Sequence, residues 1–475
     1  MNRRSQAWLW LGIVSLAGIA LALLYPDSYQ QDGGHHYLFA RNAWKHPAMF
    51  VGVWSRPLFT FLYAFPAMLG YPVAKLFTVL ICIVTAWQSF RIAEEQGMER
   101  PALTIPLLFL QPSYFLLSAD TMTEPIFALV FAIALRLHLK GHITAGIFAA
   151  STMILARPEG FFLGALWGVW VLLEKRGPAN LWQRVPRTLL LASGAFVWWL
   201  SALLITGDPL FIRNNWPSDW GATQARYGTG SIAIYLIRLP EIAGPLLCFV
   251  FLFGLALLLA RRQMGTVTSA FLTLFVLHSV FRVFGLFGAA GYPRYFVCVA
   301  PAIALITLAG WNGIAHGLKL APRFVGTTAA AAILALSAAF TVSYADAAIF
   351  VRDARAIQEM YSWFRANPKP VARVVWSQAY MCIQFDCDIY NKPAFGSDKE
   401  ANLTLLQKSP KNTLIFWDGE TGPSWYGIKA DDLEHAGYAR LRSHSYSLEG
   451  LLVKRWWFHD WGPRRQEMHL FYKTE

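Results

Sequence analysis

Charge is scarce in this chain. Asp, Glu, Lys and Arg make up 15% of its 475 residues, and 56% are hydrophobic. A soluble domain carries about 25% charged residues. The shortfall excludes an ordinary water-soluble fold of this size and points to a bilayer as solvent. Cysteine is also sparse, with five in all. Cys82, Cys248 and Cys298 lie in or beside apolar runs and read as inert core residues. Cys382 and Cys387 lie close together in a polar stretch. They are either a disulfide, if that stretch is extracytoplasmic, or two free thiols. No spacing suits zinc, and there is neither an internal repeat nor a low-complexity segment.

What is present fits many membrane crossings. Aromatics are abundant, with 20 Trp, 18 Tyr and 34 Phe, and Trp and Tyr favour bilayer interfaces. The net charge of +13 suits Lys and Arg in topology-setting turns rather than nucleic-acid binding. The N-terminus, Met-Asn-Arg-Arg before an apolar run, resembles a signal peptide at first. It lacks a small-residue cleavage site, since Leu23-Leu24-Tyr25-Pro26 follows, and so reads as a retained membrane helix.

A crossing needs about 20 apolar residues. On that scale about eleven spans are expected, at 7–25, 68–90, 102–118, 124–139, 142–157, 160–173, 188–206, 242–260, 266–284, 295–310 and 324–343. Arg3 and Arg4 place the N-terminus in the cytoplasm. Alternation then puts the turns with Arg91 and Arg100, Lys140 and His142, Lys175 to Arg187, Arg261 and Arg262, and Lys319 and Arg323 on that side. Asp27, Asp32, Asp120, Glu124, Glu159 and Asp208 collect at outward ends, and an odd number of spans sends the C-terminus outward. The expected fold is an α-helical polytopic membrane protein over 1–343, followed by a small extracytoplasmic α/β domain over 344–475. In that tail, 346–367 has helical spacing, and 373–377, 413–417 and 451–456 read as short strands.

Four clusters carry candidate chemistry. The first outer loop, 26–67, contains Asp27, Asp32, Gly33, Gly34, His35 and His36. One of its carboxylates is a candidate general base; alternatively, Asp32 caps a helix starting near Gly34. The adjacent histidines do not share a helix face, which argues against joint metal ligation. The second cluster holds Asp120 and Glu124 before Pro125. It reads either as an ordinary helix start or as acids at the membrane edge. The third, Arg157-Pro158-Glu159-Gly160, interrupts a long apolar stretch. Ionisable residues at that depth point to function, with Arg157 suited to phosphate and Glu159 to orienting it or a sugar hydroxyl. The fourth is Tyr292-Pro293-Arg294-Tyr295. Arg294 is either a phosphate ligand or a snorkelling interfacial arginine. Arg282 is a weaker candidate of the same type.

In this order the clusters resemble the GT-C type of polytopic membrane glycosyltransferase. That group includes polyprenyl-phosphate-sugar-dependent mannosyltransferases and the aminoarabinose transferase of lipid A. The matching pieces are the acid-bearing first loop, Thr123-Glu124-Pro125, Arg157-Pro158-Glu159-Gly160, Gly207-Asp208-Pro209-Leu210, and Arg294-Tyr295 followed by Pro301. Many members have adjacent acids in the first loop, whereas here Asp32 precedes Gly33, so Asp27 and Asp32 both stand as the base. The resemblance implies inverting transfer of a sugar from a polyprenyl-phosphate donor to an acceptor hydroxyl on a glycan, lipid or protein. Asp32 or Asp27 would be catalytic. His35, His36, Asp120, Glu124, Arg157, Glu159, Arg294 and Tyr295 would bind substrate, and no cofactor or metal would be needed. Gly33 and Gly34 would let the backbone approach substrate. The implied location is a bacterial inner membrane with a periplasmic tail. Two other classes stand beside this one. A transporter or lipid-linked-sugar flippase would place its ionisable groups at the midplane on repeated broken helices. A non-catalytic scaffold would leave the outer carboxylates unexplained.

Overall fold

A computed structural model of the chain describes residues 2–25, 31–174, 180–216, 227–317, 323–348, 351–390, 395–396, 398–447 and 465–474. Asp27 and the expected strand at 451–456 lie outside the described residues.

Among the described residues, six helices are long and apolar enough to cross a membrane: α1 (Arg3–Leu24), Tyr71–Glu95, Trp182–Thr206, Gly265–Phe284, Pro293–Gly317 and Thr328–Asp346. Shorter apolar helices span Pro57–Met68, Ile143–Ala156, Glu159–Leu173 and Leu247–Ala260. Helices satisfy their own backbone polar groups, which hydrocarbon cannot do. Their outward faces carry large apolar side chains: Leu204 is 76% exposed, Phe249 71% and Phe61 70%. Such a surface needs lipid around it.

Three expectations change. The stretch 26–67 is not simply a loop: it contains helix α2 (Gln31–Asn42) and the apolar helix α3 (Pro57–Met68). The expected span 102–118 is broken into a 3₁₀ turn, Pro101–Leu103, and two short helices, Thr104–Phe109 and Pro112–Leu117. Pro101 and Pro112 open new turns there, because proline cannot donate to the preceding one. The Gln111 side chain donates to the Ala300 carbonyl at 3.0 Å, bridging the break to a neighbouring helix. The segment 142–157 is likewise interrupted, at Thr152.

Two of the basic turns, those with Arg91 and with Lys140, meet at one end. Glu95 pairs with Arg91 at 3.0 Å, with Arg136 at 2.6 Å and with Lys140 at 3.7 Å. Nearby in sequence, Glu99 pairs with His316 at 2.9 Å, and Arg100 donates to Asn312 at 3.2 Å. The helix Glu124–Leu139 runs away from this end for about 24 Å at 1.5 Å per residue. Glu124, at its far end, belongs to a different cluster of charge.

The tail begins with the helix Val351–Ala366 and builds a four-stranded sheet. Strands β1 (Arg373–Trp376), β2 (Thr413–Asp418), β3 (Tyr438–Ser447) and β4 (Arg465–Lys473) lie in the order β1-β2-β4-β3. β1 and β2 are parallel, and the other pairs are antiparallel. Alternate residues serve opposite faces. Trp376, Leu414, Phe416, Met468 and Leu470 join the large core shared with the membrane helices, while Val375, Ile415, Trp417 and Phe471 join a second core on the other face. The helix Ala379–Gln384 carries the sheet onto α2. Gly34 makes the contact possible, because a Cβ there would stand 2.9 Å from the Ala379 Cβ. Cys382 and Cys387 are buried and not joined as a disulfide, with the Cys382 Sγ donating to the Cys387 carbonyl at 3.1 Å.

Candidate active site

A cavity of about 860 Å³ opens where α2, the helix ends and the tail meet. Asp32, His35, His36, Arg157, Glu159, Arg294 and Tyr295 all line it. Residues more than 250 positions apart in the chain therefore share one wall.

Asp32 sits in the first turn of α2, which begins at Gln31 rather than near Gly34. Its carboxylate is turned to Arg294, which donates from Nη2 at 2.9 Å. Burial pushes the Asp32 carboxyl up, but the charge and hydrogen bond of Arg294 outweigh it and leave it below the usual carboxylate value. Arg294 belongs to the 3₁₀ stretch Pro293–Val299, which leads into a membrane-length helix. Its guanidinium lies 5.1 Å from the Tyr292 ring centre and 3.7 Å from Glu124.

The third cluster is locked. Arg157 meets Glu124 at 2.8 Å and Glu159 at 2.8 Å, and donates to the Thr123 hydroxyl at 3.1 Å. The chain is extended at Arg157, between the short turn Met153–Ala156 and the helix Glu159–Leu173. Pro158 forces that break and aims both side chains at one point. Gly160 lets the new helix press onto the backbone of Met153 and Ile154, where a Cβ would have no room.

The histidines are placed by α2. His35 Nδ1 lies 3.0 Å from the Gln31 carbonyl, and its ring is tilted against Trp376 of the tail. His36 packs between Trp54 and Phe59. Burial holds both imidazoles below their ordinary value, and the Arg56 charge adds to this for His36. Tyr295 stacks on His278 at 4.7 Å between ring centres.

Some candidates fall elsewhere. Glu124 is buried and reaches the cavity only through the two arginines it holds. Asp120 is buried, accepts from the Thr121 amide at 2.6 Å, and does not line the cavity. The neighbouring Thr121 hydroxyl donates to the Gly33 carbonyl at 2.6 Å, which ties the second cluster to the first. Asp208 organises its own turn, accepting from the Leu210 amide at 2.8 Å and from Asn214 at 3.0 Å. Arg282 clamps the carbonyls of Tyr227, Gly228 and Ala289. Gly34 serves helix packing rather than approach to the cavity. Among the described residues, no group of three or more His, Cys, Asp or Glu is arranged to hold a metal ion.

Sequence reasoning passed over Arg56, which also lines the cavity. It opens α3 at φ 60°, a conformation few non-glycine residues adopt, and donates to the Val53 carbonyl at 3.2 Å. An arginine directly before an apolar helix was the available signal. Also unanticipated was the tail's share of the wall, from Gln378, Tyr380 and the Glu420–Tyr426 segment.

The fold is similar to that of ArnT from Cupriavidus metallidurans, solved bound to undecaprenyl phosphate, with a TM-score of 0.59 and 13% identity over 97% of both chains. It is also similar to the Archaeoglobus fulgidus oligosaccharyltransferase in its apo form, with a TM-score of 0.49 and 13% identity over 96% of this chain and 74% of that one. No family model matches the chain. No characterised protein matches it by sequence. The expected fold class thus holds in three dimensions: the chain has a GT-C-like fold.

Proposed function

We propose that this chain is an inverting glycosyltransferase that moves a sugar from a polyprenyl-phosphate donor to an acceptor hydroxyl on the extracytoplasmic face. The observation that carries the reading is the Asp32–Arg294 pair, 2.9 Å apart in the cavity wall. It places a carboxylate beside a cation suited to phosphate. ArnT was solved with undecaprenyl phosphate, and the shared fold makes a lipid phosphate the natural donor here.

The three arginines Arg56, Arg157 and Arg294 stand against the three carboxylates Asp32, Glu124 and Glu159. A phosphate entering so balanced a cluster must take an arginine from a carboxylate. Asp32 is the partner that gives way, because its side chain is 34% exposed against 0% for Glu124 and 9% for Glu159. Arg294 then holds the phosphate, and Asp32, relieved of that cation, becomes a stronger base. The acceptor oxygen attacks the anomeric carbon as the bond to the phosphate oxygen breaks. Its proton passes to Asp32, and the lipid phosphate leaves with the bonding pair, stabilised by Arg294. One displacement inverts the anomeric centre. Arg157, held by Glu124 and Glu159, supplies fixed positive field behind this site, and His35 and His36 offer neutral hydrogen-bonding groups to the sugar. The N-terminus and the basic turns face the cytoplasm of a bacterial inner membrane, with residues 1–343 in the bilayer and 344–475 outside it.

The test is consumption of a radiolabelled polyprenyl-phosphate hexose by purified protein. Asp32→Asn should lower it by about 10²- to 10⁴-fold, the usual worth of a general base. Unchanged consumption in that variant would remove Asp32 from the role.

A further inference from the structure

Part of the cavity wall belongs to the tail, and it has its own construction. Gln378 follows β1, and Glu420, Thr421 and Trp425 follow β2. β1 and β2 are parallel neighbours, so both loops leave the sheet at its carboxyl ends. Open α/β sheets bind ligands at that edge, because loops from adjacent strands diverge there.

Buried Asp418 ties the two loops together. It accepts from the Ser377 hydroxyl at 2.7 Å, the Thr421 amide at 2.7 Å and the Glu420 amide at 3.1 Å, and also from the Thr421 hydroxyl. These bonds occupy the Asp418 carboxylate and fix the backbone of Glu420. The Glu420 carboxylate is different. Among the described residues it makes no hydrogen bond or ion pair, although it lines the cavity. Burial and the nearby Asp418 charge raise its pKa, as expected for an acid awaiting a donor. Trp425 is 39% exposed at the same wall.

We propose that the carboxyl ends of β1 and β2 form a second subsite, which binds a sugar ring of the acceptor: Glu420 accepts from ring hydroxyls, and Trp425 packs on the ring face. An unpartnered carboxylate takes paired hydroxyl donors, and an aromatic face covers the apolar side of a ring. The subsite rests on the transferase reading for its purpose and on the tail alone for its chemistry.

The experiment separates the two. Full-length protein in a sugar-free detergent is titrated with methyl β-D-glucopyranoside and methyl β-D-galactopyranoside, and binding is read by saturation-transfer NMR. Wild type should bind at least one glycoside. Glu420→Gln and Trp425→Ala should each weaken it about tenfold, the loss of one strong polar or packing contact. Both side chains are partly exposed, so matched thermal unfolding should verify that the variants fold. Absence of binding to wild type, or unchanged affinity in both variants, overturns the subsite. Donor consumption is measured in parallel. Wild type that binds glycoside through Glu420 and Trp425 but consumes no donor defeats the transferase reading and leaves the subsite standing.

Discussion

Replacing Asp32 by Asn should separate binding from chemistry, in opposite directions. A buried ion pair broken by removing one partner costs about 3–5 kcal/mol, whereas an exposed pair is worth about 0–1 kcal/mol. The Asp32–Arg294 contact lies between these limits, since Arg294 is 9% exposed and Asp32 34%. About 1–2 kcal/mol is therefore the competition a donor phosphate must overcome to claim Arg294. Asparagine is nearly isosteric and offers only a weak neutral acceptor to Arg294. The variant should thus bind undecaprenyl phosphate about tenfold more tightly, since 1.4 kcal/mol is a factor of ten. Its turnover should meanwhile fall by about 10²- to 10⁴-fold. Equilibrium binding of radiolabelled undecaprenyl phosphate to protein in nanodiscs gives the first quantity, and transfer from the labelled donor gives the second. A variant that loses lipid-phosphate affinity would refute the competition, because Asp32 would then help to hold the phosphate rather than contest it.

Three further outcomes follow from contacts around the site. Arg157→Met removes the 2.8 Å arginine from both Glu124 and Glu159, leaving Glu124 only the more distant Arg294, and should destabilise by about 3–5 kcal/mol, read as a large drop in the thermal midpoint; a drop no greater than that of an exposed Arg→Met control would contradict the locked cluster. Gly34→Val forces side-chain atoms against Ala379 and should cost about 1–3 kcal/mol of tail docking, seen as faster proteolysis between 344 and 372. Asp388 pairs with His46 at 2.8 Å; burial raises its carboxyl, but the His46 hydrogen bond, the Tyr390 amide and the nearby positive charge of His46 and Lys45 together outweigh this and hold it below the usual value. Its contribution to docking is complete above about pH 4 and is lost as pH falls through the lowered value. Hydrogen exchange over 386–390 should therefore rise on acidification, and Asp388→Asn should abolish that dependence.

The membrane character and most of the charged cluster were legible because each signal was local. An ionisable residue at the end of an apolar run announces itself, and Asp32, Arg157, Glu159 and Arg294 all do so. The same rule covers Arg56, but Ser55-Arg56-Pro57 lay in a stretch read as loop, which hid the apolar helix behind it. The buried segment 102–118 was misread for a related reason. Apolar composition marks burial in protein as well as in lipid, and only Pro101, Pro106 and Pro112 distinguished the two. Gly34 was assigned to the cavity when it serves the tail, because a glycine shows that something comes close without showing what. β3 carries arginines and serines in place of an apolar alternation, so it gave little strand signal. The tail's contribution to the cavity lay beyond local reading altogether, since Glu420 shares the cavity with Asp32 only through the pairing of β1 with β2 and the docking of 379–384 on α2.

That docking makes the tail part of the site's foundation, and truncation tests it. β1, β2 and much of β4 are buried on both faces, and one face joins the core shared with the membrane helices. Removing 349–475, beyond the helix Arg323–Ala348, would strip Ala379 and Tyr380 from α2 and take Gln378, Glu420 and Trp425 from the cavity wall. Tyr71, which packs edge-on against Tyr37 of α2 at 5.0 Å, would lose Tyr380, whose ring packs edge-on against it at 5.9 Å. Burying such a side chain is worth about 1.5–3 kcal/mol, a large share of the stability that holds a polar twelve-residue helix like α2 in place. Asp32 rides on that helix, so its position over Arg294 should fail with it. The truncated chain is expected to insert in membranes yet bind undecaprenyl phosphate without the effect of Asp32→Asn described above. If the truncated protein is monodisperse and Asp32→Asn still tightens its lipid-phosphate binding tenfold, then α2 is held by the membrane helices alone and the tail serves only the acceptor.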